Sequence, residues 1–158
     1  MAEGKKTSRK GVRDSTSVAR GRTNSFTDEE RAAMREAARE RRINQSDPAA
    51  GEREVLAKIA EMPESDRKIA ERLHDLVKAT APHLTARTWY GMPAYGQGGA
   101  VVLFFQSAQK FKTRYATLGF SDKAKLDDGG MWPTTYALKQ FGPGEEARVQ
   151  ELLRRAMG

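Results

Sequence analysis

Seven consecutive residues, Trp89-Tyr90-Gly91-Met92-Pro93-Ala94-Tyr95, set three aromatic rings beside a glycine and a proline, just ahead of Gly96-Gln97-Gly98-Gly99. Tyrosine and tryptophan offer a broad apolar face with one polar tip. Where a chain leaves a strand for a turn, such residues form the rim of a pocket. Tyr90, Met92, Pro93 and Tyr95 are the candidate rim. Lys110, Lys112 and Arg114 stand close enough in sequence to meet an anion there. The same stretch also suits one hairpin of an ordinary core. Core is the expectation for Trp89 and Trp132, and for Tyr90 and Tyr95 both readings stand open.

The other chemistry-bearing residues are sparse. His74 and His83 are the only histidines. His74 precedes Asp75 and has the makings of a general base, but it also suits a place beside a helix stripe. With no cysteine, disulfides, thiolate zinc sites and cysteine nucleophiles are excluded. No G-x-S-x-G, H-E-x-x-H or Walker sequence is present. The Gly-x-Gly-Gly at 96–99 lacks the spacing and following helix of a phosphate cradle. No nucleophile, base and oxyanion donors converge, so the chain is expected to bind rather than catalyse. Asp122, Asp127 and Asp128 flank Gly129-Gly130 and offer a hard cation two or three oxygens; they equally suit a turn that satisfies its own backbone. Glu52, Glu54, Glu61 and Glu64 form either a strip for weakly held metal or a solvated helix face.

Charge is uneven along the 158 residues. Residues 1–25 hold seven of the 28 basic side chains against two acids, which is +5 of the net +7. This tail has two valines as its only branched apolar residues, too few to offset its ordering entropy, so disorder is expected. Lys5, Lys6, Arg9, Lys10 and Arg13 are the candidate nucleic-acid contacts, acting through counterion release. A solubilising tail would look the same. The N-terminus has no apolar h-region, and the longest apolar run, 100–105, is far too short to span a bilayer. A cytoplasmic protein without membrane association is the expectation.

The elements that must position these residues follow from periodicity. Thr27 and Glu30 form a capping box, with acids in the first turn, so an exposed helix is predicted from about residue 26, with a linker reaching residue 47. Asp47 and Pro48 start the next helix, whose Val55, Leu56, Ile59 and Met62 share a face and which Pro63 ends. Ile69, Leu73, Leu76 and Val77 mark a further helix that stops before Pro82. Strands are predicted over 85–91, 100–106 and 112–120, with the glycine-rich turn between the first two. A fourth runs over 131–141, where Pro133 marks an edge or a strand start. Pro143 opens a last helix with Val149, Leu152, Leu153 and Ala156 inward. Strands grouped between helices argue for an α+β fold, an antiparallel sheet of four to five strands with helices on one face. The organisation expected is a basic tail (1–25), an exposed helix and linker (26–47) and a folded domain (48–158).

Taken in order, Trp-Tyr-Gly-Met-Pro-Ala-Tyr, the run Lys110–Asp122 and Leu-Asp-Asp-Gly-Gly-Met-Trp-Pro-Thr resemble the YdhG-like domains of unknown function, a superfamily related in shape to frataxin and CyaY proteins. The likeness spans about residues 54–157 and implies the same α+β architecture. Some members of that superfamily are regarded as iron chaperones serving cluster or haem assembly, and frataxins hold iron weakly on an acidic ridge. The resemblance therefore implies weakly held iron at Glu54, Glu61, Glu64, Asp127 and Asp128, with an assembly protein as partner. The competing expectation is a polyanion-associated protein working through its tail.

Overall fold

The computed structural model describes residues 25–44 and 47–158. The candidate arm Lys5, Lys6, Arg9, Lys10 and Arg13 lies outside them. The chain runs α1 (Asp28–Asn44), α2 (Pro48–Ala60), α3 (Glu64–Thr80), β1 (Thr85–Trp89), β2 (Met92–Gln97), β3 (Ala100–Gln106), β4 (Ala116–Phe120), β5 (Thr135–Leu138) and α4 (Pro143–Met157). The strands form one antiparallel sheet in the order β1-β2-β3-β4-β5, each beside its neighbour in sequence. The α+β class read from the sequence is the fold observed.

Helix starts follow local chemistry. Thr27 and Glu30 exchange two bonds of 3.1 Å at the head of α1, and the Asp47 carboxylate accepts the Ala50 amide at 2.8 Å. Before α4, the Gly142 amide donates to Glu145 at 3.0 Å. The sheet face carrying Ala86, Tyr95, Leu103, Phe105, Leu118 and Phe120 is covered by α2 (Val55, Ile59), α3 (Ile69, Leu73, Leu76, Val77) and α4 (Val149, Leu153, Ala156). Helix α2 comes close to β1 because residue 51 is a glycine: a Cβ there would stand 2.7 Å from the Ala86 carbonyl oxygen. Its face is narrower than predicted, for Leu56 is 46 % exposed.

Two further expectations need correction. The segment 92–97 is not a loop leading into a turn but the strand β2, closed by two-residue connections at Tyr90–Gly91 and Gly98–Gly99, all four with positive φ. Pro93 is tolerated because pairing of β2 with β3 begins only at Ala94, so no ladder bond needs its missing N–H. The last strand is short, Thr135–Leu138, and Met131 ahead of it is 89 % exposed. Helix α1 departs from the other three. It buries no residue, lies against α2 and β1, and borders Arg87 and Trp89, whose side chains alternate with Ala86 and Thr88 and so leave the opposite sheet face.

Candidate functional site

The first hairpin and α1 together make a site. Tyr90 and Gly91 have φ of 50° and 72°, the left-handed pair of a type I′ turn that Asn-Gly makes without strain. A tyrosine in that conformation costs about 1–2 kcal/mol. Its ring is nevertheless 73 % exposed, so burial returns little of that cost. Trp89 meets Tyr90 edge-on at 4.9 Å and Phe104 at 5.3 Å. Phe104 in turn lies over Gly119, where any Cβ would overlap its ring. The outer sheet face thus ends in an aromatic platform with one ring free.

Helix α1 supplies the facing wall, and several polar contacts hold it there. The two Glu40 carboxylate oxygens accept the Tyr90 and Gly91 amides at 2.8 and 2.9 Å. The Asn44 amide donates to the Thr88 carbonyl at 2.8 Å. Arg39 pairs with Glu54 through both guanidinium nitrogens, and Lys58 with Glu36 at 2.8 Å. The groove so enclosed is about 900 Å³, lined by Ala33, Ala37, Arg41, Arg87, Trp89 and Lys110 among others. Asn44 Oδ1 and Arg87 Nε, both on its lining, are buried with no hydrogen-bond partner.

The β3–β4 loop brings Lys110. Asp66, buried at the start of α3, accepts the Ser107 hydroxyl at 2.8 Å and the Gln109 amide at 3.1 Å. This anchor sets the Lys110 ammonium against Gly91, where a Cβ would overlap it. Lys112 and Arg114 continue along the same exposed loop, Arg114 over the Tyr115 ring at 5.5 Å. The charges are lopsided. Glu36 sits below the usual carboxylate range chiefly through its hydrogen bond with Lys58, and Glu40 is taken up by the turn. Among the described residues, Arg41, Arg87, Lys110, Lys112 and Arg114 enter no ion pair. An anion with a flat apolar part fits what is left unpaired.

The structure separates the predicted rim residues. Tyr90 is at the groove, whereas Met92, Pro93 and Tyr95 are buried in β2. Tyr95 joins a core relay: its hydroxyl lies 2.9 Å from His74 Nδ1, His74 Nε2 lies 3.2 Å from Glu52, and Lys78 pairs with Glu52 at 3.1 Å. Burial pushes the Tyr95 hydroxyl far up, so it stays protonated. Glu52 lies below its usual range, first through its hydrogen bond with Lys78. As the carboxylate only accepts, Nε2 is the donor, and in a neutral ring Nδ1 accepts the hydrogen bond from the Tyr95 hydroxyl. The relay occupies both nitrogens of His74, the candidate base. Tyr95→Phe is expected to cost about 1–3 kcal/mol by leaving a buried Nδ1 unpaired, with ligand affinity unchanged; denaturant unfolding beside a binding titration checks both.

The five candidate metal ligands do not converge. Glu54 is engaged by Arg39, Glu61 lies 4.0 Å from Lys58, and Glu64 lies 2.9 Å from Lys68. Asp127 and Asp128 are exposed between β4 and β5. Helix spacing places a cation within reach of Glu61 and Glu64, and each pair neutralises what a ridge would offer. Among the described residues no three His, Asp or Glu gather as a metal site. Glu40, Arg41, Arg87 and the placement of Lys110 were not legible in sequence. The Tyr-Gly pair ahead of a strand was the available signal for the turn, but nothing local joins it to Glu40.

No helix among the described residues is long and apolar enough to cross a membrane. The chain matches no family model, no curated protein and no solved structure.

Proposed function

We propose that the chain is a non-catalytic binding module for single-stranded nucleic acid, with one nucleotide seated in the groove between α1 and the first hairpin. The observation that supports this most is Tyr90, an exposed ring held in a strained turn beside Arg41, Arg87 and Lys110, which enter no ion pair among the described residues, although Arg87 donates to the Gly99 carbonyl at 2.9 Å. Strain kept at an exposed position points to a use for the ring. Bases of any identity stack on such a ring while cations track the phosphates. The basic tail of residues 1–25 leads into α1 and would extend the electrostatic contact. Within the YdhG-like resemblance this puts the ligand at the hairpin tip rather than on an acidic ridge, and the present carboxylate positions lend iron delivery no comparable support.

The test is Tyr90→Asn. Asparagine suits the left-handed turn, so the variant should melt at or slightly above the parent temperature. Its affinity for a short single-stranded oligonucleotide should fall about tenfold, the loss of one stacked base. Equal affinities in parent and variant would remove the groove from the reading. Mononucleotide binding of the same strength as the oligonucleotide would replace a strand by a small nucleotide as the ligand.

A further inference from the structure

One polar contact of α1 with the hairpin is unusual. Two successive amides, of Tyr90 and Gly91, converge on a single carboxylate at 2.8 and 2.9 Å, with the Lys110 ammonium packed on the same turn. Successive backbone N–H groups in a turn can form a concavity that takes oxyanions generally. The anion seated there is Glu40, from a helix that buries no residue. Its other contacts include Arg39 with Glu54, Glu36 with Lys58 and Asn44 with a carbonyl, and its apolar Ala38 and Ile43 are only half-buried. Each ion pair has one partner, Arg39 or Glu36, about half open to solvent, which limits its strength. Displacing Glu40 therefore sacrifices little apolar packing.

We propose that the Tyr90–Gly91 turn is a phosphate site and that Glu40 is its built-in competitor, displaced when a ligand phosphate takes the two amides. The inference rests on the nucleic-acid reading of the groove and adds where a phosphate binds and what opposes it. A phosphate presents more acceptor oxygens than a carboxylate and more negative charge. It would also give Lys110 an anionic partner, since Glu36, a carboxylate that Lys110 helps to keep ionised, is already hydrogen-bonded to Lys58. Arg41, one residue on from Glu40 along α1, lines the groove and stays at its wall. The resting molecule is then partly closed against its own ligand, and its apparent affinity is reduced by the fraction of time Glu40 is seated.

The experiment titrates full-length ¹⁵N-labelled parent and Glu40→Ala with inorganic phosphate, with chloride at matched ionic strength as control, and then with a ten-nucleotide single strand. Alanine keeps the helix and removes the competitor. Phosphate is expected to shift the Tyr90 and Gly91 amides in both proteins, and both phosphate and the strand to bind the variant about tenfold tighter, the expected gain from freeing an occupied site. Glu40→Gln, which keeps one acceptor oxygen, should fall between them. Equal affinities would overturn the competition. Weaker binding by Glu40→Ala would overturn it too, since Glu40 would then fasten a wall the ligand needs. If the strand binds but the Tyr90 and Gly91 amides move no more than in chloride, the turn is not the phosphate site, while the groove reading stands. A strand that binds neither protein sinks both.

Discussion

Phe105→Ala should lower the stability of the domain by about 3–5 kcal/mol, whereas Phe104→Ala should cost only about 1–2 kcal/mol. The two residues are adjacent and identical in type, so composition and local propensity cancel from the comparison. Phe105 is fully buried near the C-terminal end of β3, opposite Leu118 and on the helix-covered face of the sheet. Truncating it opens a cavity in the core, where close packing limits relaxation. Phe104 points to the other face, half-buried against Trp89 and over Gly119, where solvent fills the space left behind. Thermal unfolding should show Phe105→Ala at least about 10 °C below the parent. Phe104→Ala should fall much less and instead loosen Trp89, visible in its fluorescence. Equal losses would mean that the two sheet faces are not divided into core and groove as described.

Asp66→Ala should destabilise the protein by about 3 kcal/mol, because two donors lose one acceptor. The Ser107 hydroxyl and the Gln109 amide both bond to Asp66 Oδ2, at 2.8 and 3.1 Å, and Asp66 and Ser107 are buried. The functional consequence lies downstream. Residues 107–115 carry Lys110, Lys112 and Arg114, and the Asp66 contact holds the start of that loop. Hydrogen exchange at residues 109–113 should rise in the variant, and affinity for the single strand should fall several-fold even well below its melting temperature. Asp66→Asn keeps an acceptor oxygen and should lose less on both measures. Loss of stability with unchanged strand affinity would separate Asp66 from the site and make it a core anchor only.

Much of the architecture was legible because it depends on local rules. The capping residues Thr27, Asp47 and Pro143, the stripe Ile69–Leu73–Leu76–Val77 and the apolar run at 100–106 each announce an element within a few positions. The strand β2 was not legible. Its Met-Pro-Ala-Tyr-Gly-Gln has a proline and a glycine, the two residues that most weaken a strand pattern. It is a strand because β1 and β3 flank it, and Pro93 stands where no bond to β3 is required. Without β2, Met92, Pro93 and Tyr95 read as a rim, whereas pairing buries them in the sheet. Leu56, equally apolar in sequence, finds no partner surface and is left exposed.

For the candidate site the division is sharper. The residue types were visible at once: aromatics at 89, 90 and 95, cations at 110, 112 and 114, acids along α1 and α2. Sequence alone determined the helices, four of the five strands, the uneven charge and the absence of cysteine chemistry, since these follow from short-range periodicity and composition. Only the tertiary structure decided that Tyr95 belongs with His74 and Glu52 in the core, and that Tyr90 belongs with Glu40, fifty positions earlier in the chain. It likewise decided that Glu54, Glu61 and Glu64 each face a cation rather than one another. The physical reason is one of range. A side chain's periodicity shows which way it leaves its own element, but what it meets there depends on how separate elements pack.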